Sequence, residues 1–309
     1  MQKIAIIGAG NVGGQLALFL IKEGPLNILL LDVARGLAKG KAMDLEDCAS
    51  VLRQDFIIEG SDDFSLLENS DIVIITAGLA RKPGMSREDL LKKNSEIIRD
   101  VSLKIKEFTP QSIVIVVTNP VDLMTHLVAK VTGFPKNRVF GMGVSLDAAR
   151  FANLIRSELN VSLTGIEAVV IGSHGQAMVV LPQQTQVSGV RIERLMNEPR
   201  VAKLIQATIE RGALIVAHLA SGSAYFAPAA ATCSIIQAIV KDEKRVIGVC
   251  AYLNGEYNIS DLYLGVPARI GKEGVEGVVE IELNRQEKEQ LLNSAESVRQ
   301  QIKHLTKYV

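Results

Sequence analysis

The sequence predicts an α/β chain, with a doubly wound parallel sheet in its first half followed by an α+β domain. Three observations carry this. Short continuous apolar runs alternate with helical patterns through the first half. A glycine-rich loop leaves the first of those runs and opens the first helical pattern. The second half is organised differently, with Ala-rich helices and short strand patterns. Continuous rather than alternating apolar runs mark strands buried on both faces, and intervening helices are what cover them.

The elements follow in order. Ile4–Ile7 is the first strand, and Val12–Glu23 a helix stopped by Gly24-Pro25. Ile28–Leu31 is the second strand, followed by a helix with Ala38, Ala42, Met43 and Leu45 on its apolar side. Phe56–Ile58, Ile72–Ile75 and Ile113–Val117 are the third, fourth and fifth strands. Between the last two, Leu90, Leu91, Ile97, Ile98, Val101 and Ile105 recur at helical spacing, which predicts a helix over Arg87–Phe108. Later come a helix at Leu146–Leu159, strands at Ala168–Ile171 and Met178–Leu181, and helices at about Val201–Ser221 and Tyr225–Val240. Strands at Val246–Tyr252 and Leu262–Val266 and a polar helix over Asn284–Tyr308 complete the chain. The boundary falls near Val144, giving residues 1–144 and 145–309. No Pro- or Gly-rich linker marks it, so the lobes are expected to pack tightly.

With 309 residues, 48% of them hydrophobic, the chain can bury a large core. Lys+Arg and Asp+Glu balance at 34 each, which gives no electrostatic reason for a nucleic-acid or anionic-membrane partner. Anion binding must then come from a few placed cations. Cys48, Cys233 and Cys250 are odd in number and fit no zinc spacing, so buried thiols in a reducing compartment are expected. The N-terminus reaches Gly8 too soon for a signal-peptide core. No apolar run approaches the ~18 residues of a membrane span. These features predict a cytoplasmic protein.

Gly8-Ala9-Gly10-Asn11-Val12-Gly13 matches G-x-G-x-x-G between a strand and a helix. Gly8 permits the tight turn, Gly10 lets backbone approach a pyrophosphate, and Gly13 lets helix and strand pack closely. The helix N-terminus then offers unpaired N–H groups to the anion. Asp32 ends the second apolar run, about 20 residues on, where a carboxylate can accept from both ribose hydroxyls and repel a 2′-phosphate. The first half therefore reads as a Rossmann-type domain binding NAD rather than NADP.

Further motifs occur downstream. They are Ala77-Gly78-Leu79-Ala80-Arg81-Lys82-Pro83-Gly84-Met85-Ser86-Arg87, Asn94, Thr118-Asn119-Pro120, Leu146-Asp147-Ala148-Ala149-Arg150, Gly172-Ser173-His174-Gly175 and Gly222-Ser223-Ala224-Tyr225. In that order, and over essentially the whole chain, they resemble the lactate/malate dehydrogenase family, and within it the lactate-dehydrogenase-like malate dehydrogenases. The resemblance implies hydride transfer between NAD and a small 2-hydroxy acid.

That chemistry needs a base for the hydroxyl proton, and His174 fits, since imidazole titrates near neutrality. The resemblance assigns Asp147 to hold its other nitrogen, which should stabilise the protonated ring. Arg150, three residues after Asp147 and on the same helix face, suits the substrate's C1 carboxylate. Arg87 matches the family residue that polarises the ketone oxygen. Arg81 occupies the family's specificity position, where malate enzymes carry Arg and typical lactate enzymes Gln, so a C4 dicarboxylate, malate or oxaloacetate, is expected. The resemblance also puts Asn119 on the substrate, the Val117-Thr118-Asn119 backbone near the nicotinamide ribose, Asn94 beside the cofactor, and Ser223 in the pocket. It implies a homo-oligomer, with a tetramer preferred to a dimer. Gly78, Pro83 and Gly84 suggest a loop that closes over substrate. No metal is required.

The chain departs from the family's common Gly-Gly-His-Gly-Asp at Ser173 and Gln176, and carries Val180 where Pro is usual. Three rival readings share part of this evidence. They are a lactate or broad 2-hydroxy-acid dehydrogenase, a catalytically silent NAD sensor, and an NAD- and metal-dependent glycosidase.

Overall fold

The computed structural model describes residues 2–24, 26–34, 36–79 and 87–305, without the side chain of Arg87. The first half alternates as its apolar runs require. Strand β1 (Lys3–Ile7) leads into helix α1 (Asn11–Ile21), then β2 (Asn27–Leu31), α2 (Leu37–Leu52), β3 (Ile57–Ser61) and β4 (Ile72–Ile75). Helix α3 (Arg87–Phe108), β5 (Ile113–Val116), α4 (Val121–Thr132) and β6 (Val139–Gly141) follow. These six strands pair in parallel in the order β3-β2-β1-β4-β5-β6. Strand order reverses between β1 and β4, where Ile7 pairs with Ile75, and the crevice beyond their carboxyl ends is where such sheets bind ligands.

The second half begins with α5 (Ser145–Leu159), then β7 (Ile166–Glu167), β8 (Val170–Gly172), β9 (Met178–Val180), β10 (Gln186–Val187) and β11 (Val190–Arg191). Helices α6 (Ile192–Leu195), α7 (Glu198–Leu219) and α8 (Phe226–Val240) precede the long strands β12 (Arg245–Asn254) and β13 (Ser260–Gly271), β14 (Gly274–Val278) and α9 (Arg285–Leu305). The main sheet does not stop at the predicted boundary. It continues antiparallel through β6-β12-β13-β8-β9, with β14 also on β13. A separate small sheet joins β11-β10-β7.

Apolar burial follows the pattern. Ile4, Ala5 and Ile6 on β1 and Ile28 and Leu30 on β2 are fully buried, each large side chain contributing about 1.5–3 kcal/mol. One core cluster runs through both halves of the main sheet. A second, including Phe151, Ile155, Ile192, Val201 and Leu204, joins α5 to α7.

Some expectations needed correction. The predicted strand at Ala168–Ile171 holds only from Val170, where β8 begins on the main sheet, and β7 of the small sheet ends before it at Glu167. Val169 lies between them, its amide donating to the Thr185 hydroxyl and its carbonyl accepting from Leu181 N–H, so neither ladder includes it. The third strand begins at Ile57 and extends to Ser61 because β2 pairs with it from Asn27 to Leu31. Its polar end is tolerated on an edge strand. Met43 is not on the buried face of α2 but 58% exposed, whereas Ala38, Ala42 and Leu45 are buried.

Candidate active site

The glycine loop has the shape its residues predict. Gly8, immediately after β1, has φ +109°, and a Cβ there would lie 2.6 Å from the Ala77 backbone nitrogen. A Cβ on Gly13 would lie 1.9 Å from the Gly8 carbonyl oxygen, so only glycine lets α1 pack this closely. Gly10, the residue capping α1, differs: nothing lies within 4 Å of its missing Cβ. The first helical bond runs from Gly14 N–H to Gly10 carbonyl, so the amides of Asn11, Val12 and Gly13 precede the helical ladder. The loop therefore fits a dinucleotide pyrophosphate, which a side chain at Gly10 would crowd.

Asp32 stands at the end of β2. Its carboxylate accepts from Ala9 N–H at 2.7 Å and Ala34 N–H at 2.8 Å, tying the loop to the strand on which an acidic ribose ligand is expected. Lys41 of α2, absent from the sequence-based candidates, donates to the Gly10 carbonyl at 2.9 Å. A lone lysine on an exposed helix gives no signal of such a role in sequence.

Beyond β4 and β5 the two connecting segments are laced together. Thr118 Oγ1 donates to the Ala77 carbonyl at 2.7 Å. Val117 N–H donates to the Ile75 carbonyl. The Asn94 side chain accepts from Leu79 N–H at 2.8 Å and donates to the Asn119 carbonyl at 3.2 Å. Asn94, Val117 and Thr118 are buried, whereas Asn119 is exposed and joined to Pro120 by a cis peptide bond. Arg87 opens α3, and Arg81 and the rest of the expected closing loop, residues 80–86, lie outside the described residues.

In the second half, α5 and the turn after β8 bring Asp147, Arg150 and His174 together. Asp147 is fully buried and lies 2.7 Å from His174 Nδ1 through one oxygen. Its other oxygen accepts from Arg150 at 3.2 Å. The His174 side chain keeps 15% exposure, and its Nδ1 is the nitrogen that Asp147 engages. Burial pulls the imidazole pKa down, but the Asp147 charge and hydrogen bond outweigh it, with Asp122 adding and Arg150 opposing. The pKa therefore stands above the ordinary histidine value. Among the described residues, the Arg150 Nε is buried without a hydrogen-bond partner, so this guanidinium still has a donor to give to an anion. Gly212 of α7 faces the same guanidinium, and a Cβ there would lie 3.4 Å from it.

Asp122 was missed by sequence reasoning. It sits in the first turn of α4, where an Asp reads as an ordinary helix-start charge, yet it is 3% exposed and bonded to Ser173 and His174. Gln176 is exposed and Val180 buried. Ser223 is exposed in the α7–α8 connection.

Comparison with known proteins gives the family of the chain. Residues 2–141 match the lactate/malate dehydrogenase NAD binding domain, and residues 144–309 match that family's alpha/beta C-terminal domain. A malate dehydrogenase of Methanosarcina acetivorans is 47% identical over 305 residues, covering 99% of each chain. The apo malate dehydrogenase of Picrophilus torridus superposes with a TM-score of 0.95 at 39% identity, covering 99% of this chain and 98% of that one. A lactate dehydrogenase of Eimeria maxima, solved with NADH and oxamate, superposes with a TM-score of 0.96 at 36% identity, covering 99% and 95%. Matched from end to end in sequence and in fold, and with an NAD binding domain for its first half, the chain belongs to the lactate/malate dehydrogenase family.

Proposed function

We propose that this chain is an NAD-dependent malate dehydrogenase, interconverting (S)-malate and oxaloacetate, with the site divided between residues 1–144 and 145–309. The observation that carries the reading is the His174–Asp147–Arg150 arrangement, an oriented imidazole beside a guanidinium that retains a free buried donor. NAD, when bound, supplies the hydride acceptor. The residues 8–13 amides and Asp32 would hold its pyrophosphate and adenosine ribose, with Asn94 and the residues 117–119 backbone toward the nicotinamide end.

Arg150 binds the C1 carboxylate as a planar fork. Asp147 fixes His174 in the tautomer that leaves the far nitrogen free, and this nitrogen takes the malate hydroxyl proton. Arg87 stabilises the negative charge on the carbonyl oxygen, Asn119 orients it, and Arg81 holds the C4 carboxylate. The test is NADH consumption with oxaloacetate and with pyruvate. A strong oxaloacetate preference supports the malate reading, equal rates demote it to a general 2-hydroxy-acid dehydrogenase, and NADH binding without turnover favours a sensor.

Two predictions follow from the same geometry. Val33 is 82% exposed, so Asp32→Ser with Val33→Arg changes the ribose end without disturbing the core. Removing a like charge within about 4 Å of a 2′-phosphate is worth roughly 1–4 kcal/mol. The NAD/NADP ratio of kcat/KM should therefore fall about 10-fold or more, and an unchanged ratio would remove Asp32 from the ribose site. The second concerns pH. Neutral His174 accepts the proton and protonated His174 donates it. Malate oxidation should gain activity as pH rises through the elevated His174 pKa, while oxaloacetate reduction loses it over the same window. Profiles of kcat/KM in both directions check this.

Exposed Met43, Val51 and Leu52 on α2 and Leu214, Val216 and Leu219 on α7 favour a homo-oligomer, the tetramer preferred. Light scattering that returned a monomer mass would sink that part of the reading.

A further inference from the structure

His174 is held by a second carboxylate besides Asp147. Asp122 Oδ2 accepts from the Ser173 hydroxyl at 2.8 Å and from the His174 backbone N–H at 3.1 Å. Among the described residues, its Oδ1 is buried with no hydrogen-bond partner. The Cys250 thiol of β12 stands beside the same carboxylate. The hydroxyl, the amide and the thiol around Asp122 can all donate to a carboxylate, and the amide can do nothing else. The surroundings thus offer a buried anion three donors, and a buried charge must be hydrogen-bonded. Ser173 is itself fixed, its backbone N–H donating to the Ser294 hydroxyl of α9 at 2.8 Å. It is also the residue at which this chain departs from the Gly-Gly-His pattern, so the hydroxyl adds a donor that glycine lacks.

We propose that Asp122 is a positioning residue for the proton transfer, an anionic carboxylate that the Ser173 hydroxyl clasps and that fixes and charges His174 from its backbone side. This rests on reading His174 as the acid–base group. Among the described residues, the charged groups facing His174 are Asp147 and Arg150 from α5 and Asp122 from α4. Two carboxylates therefore favour the imidazolium against one guanidinium. Burial holds the Asp122 pKa above the ordinary carboxylate value, and the Ser173 bond and the His174 charge lower it only in part, so losing the Ser173 hydroxyl weakens the anion further.

The experiment combines two measurements on the NADH-bound protein. Proton NMR titration follows the His174 ring, its signal assigned by His174→Asn, and pH profiles of kcat/KM follow oxaloacetate reduction. An opposite charge within about 4–6 Å moves a pKa by about 1–3 units. Asp122→Asn should therefore lower the His174 pKa by roughly one unit, with the kinetic limb moving alongside. Ser173→Ala should shift both in the same direction by less. An unchanged His174 pKa in the folded variants overturns the proposal. If Asp122→Asn fails to fold, Ser173→Ala decides alone by the same criterion. If the NMR pKa moves but the wild-type kinetic limb does not coincide with it, the coupling stands and the acid–base assignment of His174 fails.

Discussion

His174→Asn should lower kcat for oxaloacetate reduction by about 10²–10⁴-fold, the usual contribution of a positioned acid–base group. That loss corresponds to about 2.7–5.5 kcal/mol of transition-state stabilisation. NADH affinity should survive, because the loop at residues 8–13 and Asp32 lie in the other half of the chain and share no hydrogen bond with the His174 ring. Asp147→Asn is the informative companion. It preserves shape but replaces a buried acceptor that serves two partners at once, His174 Nδ1 at 2.7 Å and Arg150 at 3.2 Å. An amide can donate to the ring and so favour the unproductive tautomer, while Arg150 loses the charge that aims it. The expected result is a fall in kcat approaching that of His174→Asn, together with a raised KM that His174→Asn does not show. Stopped-flow NADH oxidation and fluorescence titration of NADH separate these effects. Full activity in His174→Asn would remove the residue from the chemistry.

The parallel sheet was legible because strands buried on both faces leave a local record. Ile72–Ile75 and the helix over Arg87–Phe108 were read with the bounds the structure gives them. The glycines were legible for a similar reason, since the close approach of Gly13 to the Gly8 carbonyl is a contact within one turn. Features set by distant partners were not. The division of residues 166–172 between two sheets depends on Thr185 and Leu181, neither of which marks the sequence near Val169. The burial of Asp122 depends on Ser173, 51 positions away, and Lys41 meets Gly10 across 31. Asp147, Arg150 and His174 were proposed from family resemblance and from the chemistry of a 2-hydroxy acid. Their convergence in space is a property of α5 packing against the β8 turn, which no local pattern encodes.

Arg81→Gln should erode the choice between ketoacids rather than the chemistry itself. Oxaloacetate and pyruvate both carry the C1 carboxylate and ketone that Arg150, Arg87 and His174 are proposed to serve, and only oxaloacetate carries a second carboxylate. The discriminating free energy must therefore come from a group that meets C4. Leu79, two residues before Arg81 in the chain, is anchored to Asn94, which also holds the Asn119 carbonyl. A hydrogen bond to a charged group is worth about 1.5–3 kcal/mol, and a bidentate pair supplies two. Losing both should lower kcat/KM for oxaloacetate by roughly 10²–10⁴-fold. Pyruvate should be affected in the opposite sense, because a desolvated unpaired guanidinium over its methyl group is a penalty that the glutamine relieves. Sites that demand a polar partner discriminate by up to about 10⁴–10⁵, so the wild-type preference has room to collapse by several orders of magnitude. Equal proportional losses on both ketoacids would mean that Arg81 serves loop order or the shared carboxylate. Specificity for a C4 acid would then have to be built from another cation.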